Sequence, residues 1–307
     1  MTPMANQKYL ISIVGATAIG KTALSIKVAQ HFNCPIISSD SRQFYKEMSI
    51  GTAVPNAIEL NAATHYFIQN RSIFDNYNVG QFEKEALSKL DTLFSKNDVV
   101  VMIGGSGLYV DAVLKGLDFF PEVSPDIRNS LNNRIKTEGL ESLQNQLKQL
   151  DIDSYNTIEI DNPHRLIRAL EICIGTGNPY SFYKNKPKQP RNFAPIKIGI
   201  TADREIMYSR INERVDIMVE SGLLKEAREL HKHKDLNALQ TVGYRELFSY
   251  FDAAETLAFA ISEIKKNTRR FAKRQGTWFR KDTDIRWFDF KEKPNIIIDY
   301  ITSKISI

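Results

Sequence analysis

The residues GATAIGKT, Gly15 to Thr22, follow an apolar run, YLISIV, and precede a stretch that places Ala23, Ile26, Ala29 and Gln30 at helical spacing. Gly-x4-Gly-Lys-Thr is a phosphate-loop pattern, and it works only between the end of a strand and the start of a helix. Its glycines permit a tight path whose N–H groups turn toward phosphate oxygens, and the helix adds its positive N-terminal end. The full pattern in its required context outweighs the alternative, a glycine turn with a chance Lys-Thr. The loop therefore commits the chain to an α/β core. Gly15, Ala16, Thr17, Ala18, Ile19 and Gly20 are expected to line an anion, with Lys21 as a point charge and the Thr22 hydroxyl on Mg²⁺.

Further strands are expected in CPIISSD, ending at Asp40, in DVVVMIGG, ending around Gly104, and in IKIGIT from Ile196. Short apolar strands without alternation, separated by helices, predict a parallel sheet covered on both faces. From Leu117 the chain turns helical and polar, and Asn178 to Pro195 reads as an irregular Pro-, Lys- and aromatic-rich connection. A helical insertion over 118–194 thus interrupts a P-loop core formed by 1–117 and 195–307.

With 42% hydrophobic and 25% charged residues, the 307-residue chain has the make-up of a folded globular protein. No apolar run approaches the roughly 18 residues of a spanning helix. The N-terminus, MTPMANQK, lacks the layout of a signal peptide. A cytoplasmic monomer without a membrane partner is expected. Cys34 and Cys173 cannot by themselves form a disulfide framework or a four-ligand zinc site. His231 and His233, two apart, would leave a helix on different faces, so no metal pair is expected there.

An NTP hydrolase needs an apolar strand that ends in a metal-supporting aspartate. Here that strand ends in glycines and Ser106, and Asp98 lies at its wrong end. The acid beyond a strand's carboxyl end is Asp40. Ligands of open α/β sheets bind at those ends, so Asp40, Ser41, Ser106 and Lys21 are expected to share one cleft. Facing a phosphate, Asp40 makes better sense as a base for an incoming nucleophile than as a structural ion-pair partner.

Glu263 to Lys281 carries eight basic residues against one acid. Lys266, Arg270 and Arg274 step by four, as do Lys265, Arg269 and Lys273, which predicts two adjacent cationic rows on a helix. Phe271, Trp278 and Phe279 interleave with them. Nucleic-acid phosphates are the natural partner, against a merely solvated face. Arg165, Arg168 and the basic connection at 184–191 would add a second basic surface.

GATAIGKT, DSRQFY, SIGTAVP, GGSGLY, NPHRLIRALE, GTGNPYS, TVGYRE and TRRFAKRQGTWFRK stand in the order found in the bacterial tRNA dimethylallyltransferases, or tRNA isopentenyltransferases. The chain resembles that family from Gly15 to about Lys281. The resemblance implies transfer of a dimethylallyl group from dimethylallyl diphosphate to N6 of the adenine at tRNA position 37, just 3′ of the anticodon. The products would be N6-dimethylallyladenosine and diphosphate, with Mg²⁺ as cofactor and the anticodon stem-loop as partner. It also implies that the loop holds pyrophosphate, that Asp40 accepts the N6 proton, and that Ser106, where the family usually has Thr, touches the bridging oxygen. By the same resemblance Asp40, Ser41, Arg42 and Gln43 would touch anticodon-loop bases. Arg128, His164, Arg165, Leu166, Ile167 and Arg168 match tRNA-contacting segments, as do Thr241, Val242, Gly243, Tyr244, Arg245 and Glu246. Arg204 resembles an arginine that clamps the pyrophosphate.

The chain departs from the family at His164 (usually Gln or Arg), at Val54 (Lys), and at His65, single where a pair is common. It also lacks the cysteines of the zinc finger that eukaryotic relatives carry. Two rivals stand beside this reading. A P-loop kinase of a small molecule or nucleotide would use Asp40 on a hydroxyl, but leaves the basic helix and Trp278 without a purpose. A non-catalytic RNA-binding protein would not need Lys21, Thr22 and Asp40 together.

Overall fold

Tyr9–Gly15 is buried at every position and forms the central strand, β1, of a six-stranded sheet. Around it lie β2 (Ile36–Ser38), β3 (His65–Tyr66), β4 (Val99–Gly104), β5 (Ala194–Thr201) and β6 (Arg286–Asp289), in the order β3-β2-β4-β1-β5-β6. Every pairing is parallel. This computed structural model describes residues 7–305; residues 1–6, on which the leaderless reading of the N-terminus largely rests, lie outside them.

Alternation along β1 sends Ile11 and Ile13 to one face and Leu10 and Val14 to the other. The first face packs against the helix that follows the loop, Lys21–His31, through Leu24, Ile26 and Val28, and against the C-terminal helix Pro294–Thr302. The second packs against helices Val79–Phe94 and Gly107–Lys115. Ile11 and Ile13 are fully buried, each worth about 1.5–3 kcal/mol of transfer free energy. Covered faces explain the unbroken apolar runs. The first helix buries Ile26 and Ala29 as expected, but Ala23 and Gln30 are exposed.

The described residues divide into two compact units, one running to Lys115 and resuming at Arg191, the other Gly116–Pro190. The smaller unit is helical around Leu131, Leu143, Leu147, Leu166 and Leu170. In the larger unit, a helical layer around Tyr244, Leu247, Ala260 and Ile264 joins the sheet. Its longest helix is the basic one, Leu257–Phe279, started by Thr256, whose side chain accepts the Phe259 N–H. Among the described residues no helix is long and apolar enough to cross a membrane. Both cysteines are free and buried. His231 and His233 lie in a short 3-10 turn and diverge, one to Asp252 and the other to the edge of Phe74.

Candidate active site

β1 ends on Gly15 at φ 147°, where a Cβ would come within 2.5 Å of the Ile200 carbonyl oxygen, so only glycine fits. Ala18 (φ 63°) and Gly20 (φ 103°) bend the chain through the left-handed region before the helix starts at Lys21. Ala16 and Ile19 point into the core, which anchors the loop and leaves its main chain to meet a ligand. Gly20 caps the helix without a side chain, so the first N–H groups stay available to an anion. Lys21 Nζ donates to the Ala16 carbonyl at 2.7 Å. Burial pushes its ammonium down to about 8; Asp40's charge opposes that shift and Arg214's adds to it.

Lys21 and Thr22 open onto a cavity of about 70 Å³ that Asp40, Gln43, His65, Arg214 and Gln275 also line. Asp40 lies two residues beyond β2, and its Oδ1 accepts the Arg42 N–H at 3.0 Å, a turn that fixes the carboxylate. Ser106 Oγ accepts the Ser41 N–H at 3.1 Å and lies 3.0 Å from Ser41 Oγ. The ends of β2 and β4 are therefore laced together; of the four residues expected to share a cleft, Lys21 and Asp40 line the cavity, while Ser41 and Ser106 bond to each other beside it and are not part of its lining. A second cavity, about 220 Å³ around Ser12, Lys115 and Lys197, holds none of the expected site residues.

The glycines at the end of β4 and just beyond it are there for clearance. A Cβ on Gly104 would strike Ser39, one on Gly105 would lie 2.2 Å from Gln275 Nε2, and one on Gly107 would lie 2.3 Å from Trp278. The turn thus admits the basic helix, whose Gln275 and Phe271 wall the cavity. Trp278 donates its indole N–H to Asp111 at 2.8 Å.

The IPP transferase family model matches residues 43–282. A tRNA dimethylallyltransferase of Flavobacterium johnsoniae is 60% identical over 304 residues, covering 97% of this chain and 98% of the relative. One from Christiangramia forsetii is 61% identical, with 97% and 99% covered. The chain belongs to the IPP transferase family. The crystal structure of the full-length tRNA isopentenylpyrophosphate transferase from Bacillus halodurans aligns with a TM-score of 0.73 at 34% identity, over 97% of each chain.

Against the family's expected contacts, the placements divide. On the basic helix, neither cationic row is free along its whole length: the N-terminal member of each is tied down. Lys265 pairs with Asp216 and Arg269 donates to Asn212, both on helix Arg204–Glu220, so these two half-buried residues form an intramolecular seam. Lys266 is held by Glu263 at 2.8 Å. Arg270, Lys273 and Arg274 remain exposed. The partners in the seam, one acid and one amide, come from another helix, which no window of the local sequence reveals.

Leu166 and Ile167 cannot reach RNA, because helix Pro163–Thr176 turns them into the small unit's core. His164 and Arg165 are exposed, while Arg128 and Arg168 both hold the buried Glu171. Tyr244 is also removed from any RNA surface: it is 0% exposed and its hydroxyl donates to Glu226. Gly243 is buried too, and Glu246 accepts the Gly243 N–H, capping a helix; Val242 packs on the same core. Thr241 is half-buried and Arg245 exposed. Arg42 donates to the carbonyls of Asn237 and Ala238, and Gln43 to those of Thr52 and Ala53. In the 184–191 connection, Arg191 adds no basic surface, since it is held by Glu83 and by the Val113 and Ala112 carbonyls.

Arg204 is exposed over the Tyr208 ring and does not line the cavity; Arg214, ten residues along the same helix, does. Sequence reasoning missed Arg214, Gln275 and His65 as cavity residues. The i, i+4 pair Phe271 and Gln275, beside the cationic row, is the signal that could have found the helix's inner face.

Proposed function

We propose that this chain transfers a dimethylallyl group from dimethylallyl diphosphate to N6 of the adenine 3′ of a tRNA anticodon, at position 37. The observation that carries the reading is the meeting of an anion-gripping loop and a turn-fixed carboxylate in one cavity walled by a basic helix. The end of β4, which a nucleotide hydrolase would furnish with an acid, holds glycines. In this reading the diphosphate lies on the loop's N–H groups, with Lys21 and Arg214 balancing its charge. N6 attacks C1 of the dimethylallyl group, the C1–O bond breaks, and its electron pair leaves with diphosphate. Asp40 takes the N6 proton. Ser41 Oγ can donate to Ser106 Oγ, which frees the Ser106 hydroxyl hydrogen for the bridging oxygen as charge grows there.

Extracting the adenine from its stack costs a few kcal/mol, least in an unpaired loop. Arg270, Lys273 and Arg274 supply sequence-independent phosphate contacts that hold the RNA meanwhile. Thr22 and Asp40 present oxygen donors, and among the described residues no group of three His, Cys, Asp or Glu could form a metal cage. That suits Mg²⁺, which binds through few protein oxygens and keeps water and phosphate ligands. Held by the Thr22 hydroxyl, it would offset charge on the leaving diphosphate.

Incubating unmodified tRNA with the protein and dimethylallyl diphosphate, then digesting to nucleosides for mass spectrometry, tests this. One C5H8 gain on a single adenosine is expected, without ATP. Stoichiometric ADP release with phosphate transfer from ATP, and no such gain, would favour a kinase instead.

A further inference from the structure

Gln275 lies on the basic helix and is 6% exposed. Its Oε1 accepts the Thr17 N–H of the phosphate loop at 2.9 Å, and its Nε2 donates to the Gly105 carbonyl at 2.9 Å. Both ends of the amide are used, and both partners are main chain at the ligand cavity. No longer residue at position 105 would leave room for this grip. The helix that presents Arg270, Lys273 and Arg274 to solvent thus holds the loop with its inner side. A helix moves as a unit, so force on its cations reaches the loop through two hydrogen bonds. Thr17 N–H is also a donor that a diphosphate oxygen would compete for.

We propose that Gln275 is a positioning residue that couples RNA binding on the outer face of the basic helix to diphosphate binding in the loop. Occupying one site changes the geometry offered at the other, and the coupling is reciprocal. This rests on the proposed activity only for the identity of the two ligands.

Isothermal titration with inorganic pyrophosphate and with a synthetic anticodon stem-loop RNA, singly and together, tests the link. In the wild type, saturating RNA is expected to change the pyrophosphate Kd by about fivefold or more, and in Gln275→Ala by less than about twofold. RNA affinity alone should stay close to wild type, because the outer cations are untouched. Gln275→Glu provides a readout that a purely structural role would not move. Ionised, it accepts from Thr17 but cannot donate to Gly105; protonated, it copies glutamine's pattern. Its coupling should therefore recover as pH falls. Lys21, Asp40, His65 and Arg214 face the same cavity, so the variant is compared with wild type at each pH to cancel their titration. If the alanine variant does not fold, the glutamate variant decides. Wild-type binding without coupling, or coupling that survives Gln275→Ala and shows no pH response in Gln275→Glu, overturns the inference. If neither ligand binds the wild type, the proposed activity falls first and this inference with it.

Discussion

Two loops of this chain are built around an acceptor, and they differ in where it comes from. The Ser49, Ile50 and Gly51 N–H groups all donate to the Glu226 carboxylate at 2.8–2.9 Å, and Tyr244 adds its hydroxyl at 2.6 Å. Gly51 is glycine because a Cβ would lie 2.6 Å from that hydroxyl. At residues 15–22, among the described residues, no carboxylate accepts a loop N–H as Glu226 does; Gln275 accepts one N–H, and the Ala16 carbonyl accepts from Lys21. A loop that carries its own anion is a structural joint, whereas one that leaves the place to a ligand is a site. Phosphate-like geometry alone does not separate them.

Breaking each side should give opposite losses. Asp40→Asn, beside the open loop, should cut single-turnover prenyl transfer by about 10²–10⁴-fold, the usual worth of a general base, and leave RNA binding and the unfolding midpoint unchanged. A rate within tenfold of wild type removes Asp40 from that role. Glu226→Ala, in the filled loop, should instead lower unfolding free energy by about 2–4 kcal/mol, since it orphans donors to a charged acceptor. Urea titration measures this, and the molecules that remain folded should keep their turnover.

Lys21 sharpens the contrast through pH. A lysine lowered to about 8 is charged below that pH, and above it must take up a proton to meet a diphosphate. Lys21 should add no pH dependence to pyrophosphate affinity below pH 8, where it is already charged, and affinity should fall as pH rises past it, by at most about tenfold per unit. Lys21→Arg, charged throughout, should flatten that fall relative to wild type; parallel profiles by calorimetry would refute the assignment. The smallest effect belongs to the helix outside the loop. Replacing Arg270, Lys273 and Arg274 together by Ala should flatten the logarithmic salt dependence of RNA binding by about two to three units. An unchanged slope in a folded variant would place the RNA surface elsewhere.

The open loop was legible in the sequence because its determinants are contiguous: two glycines, a lysine and a threonine between an apolar run and a helix. Asp40 was legible for a related reason, since the carboxyl end of a short apolar strand predicts its location. The filled loop was not, because Glu226 lies about 175 residues from its donors. The same holds for the Asp216 partner of Lys265 and for Gln275. Where the function of a residue depends on a partner from a distant element, local spacing shows a charge or an amide but not what it faces. β3, two residues long, and β6, without an apolar run, are strands only because β2 and β5 offer them open edges.

The contact between Gln275 and Thr17 spans 258 residues. A ribosome adding about 5–20 residues per second would finish the phosphate loop on the order of 10–50 s before making the glutamine that grips it. β1 likewise waits for β5, its neighbour on one side. During synthesis, then, the emerging N-terminal half carries a recognisable loop without Gln275 or the basic helix that bears it. A nascent fragment can present the motif yet lacks one wall of the cavity, which is completed only as the last sixth of the chain emerges.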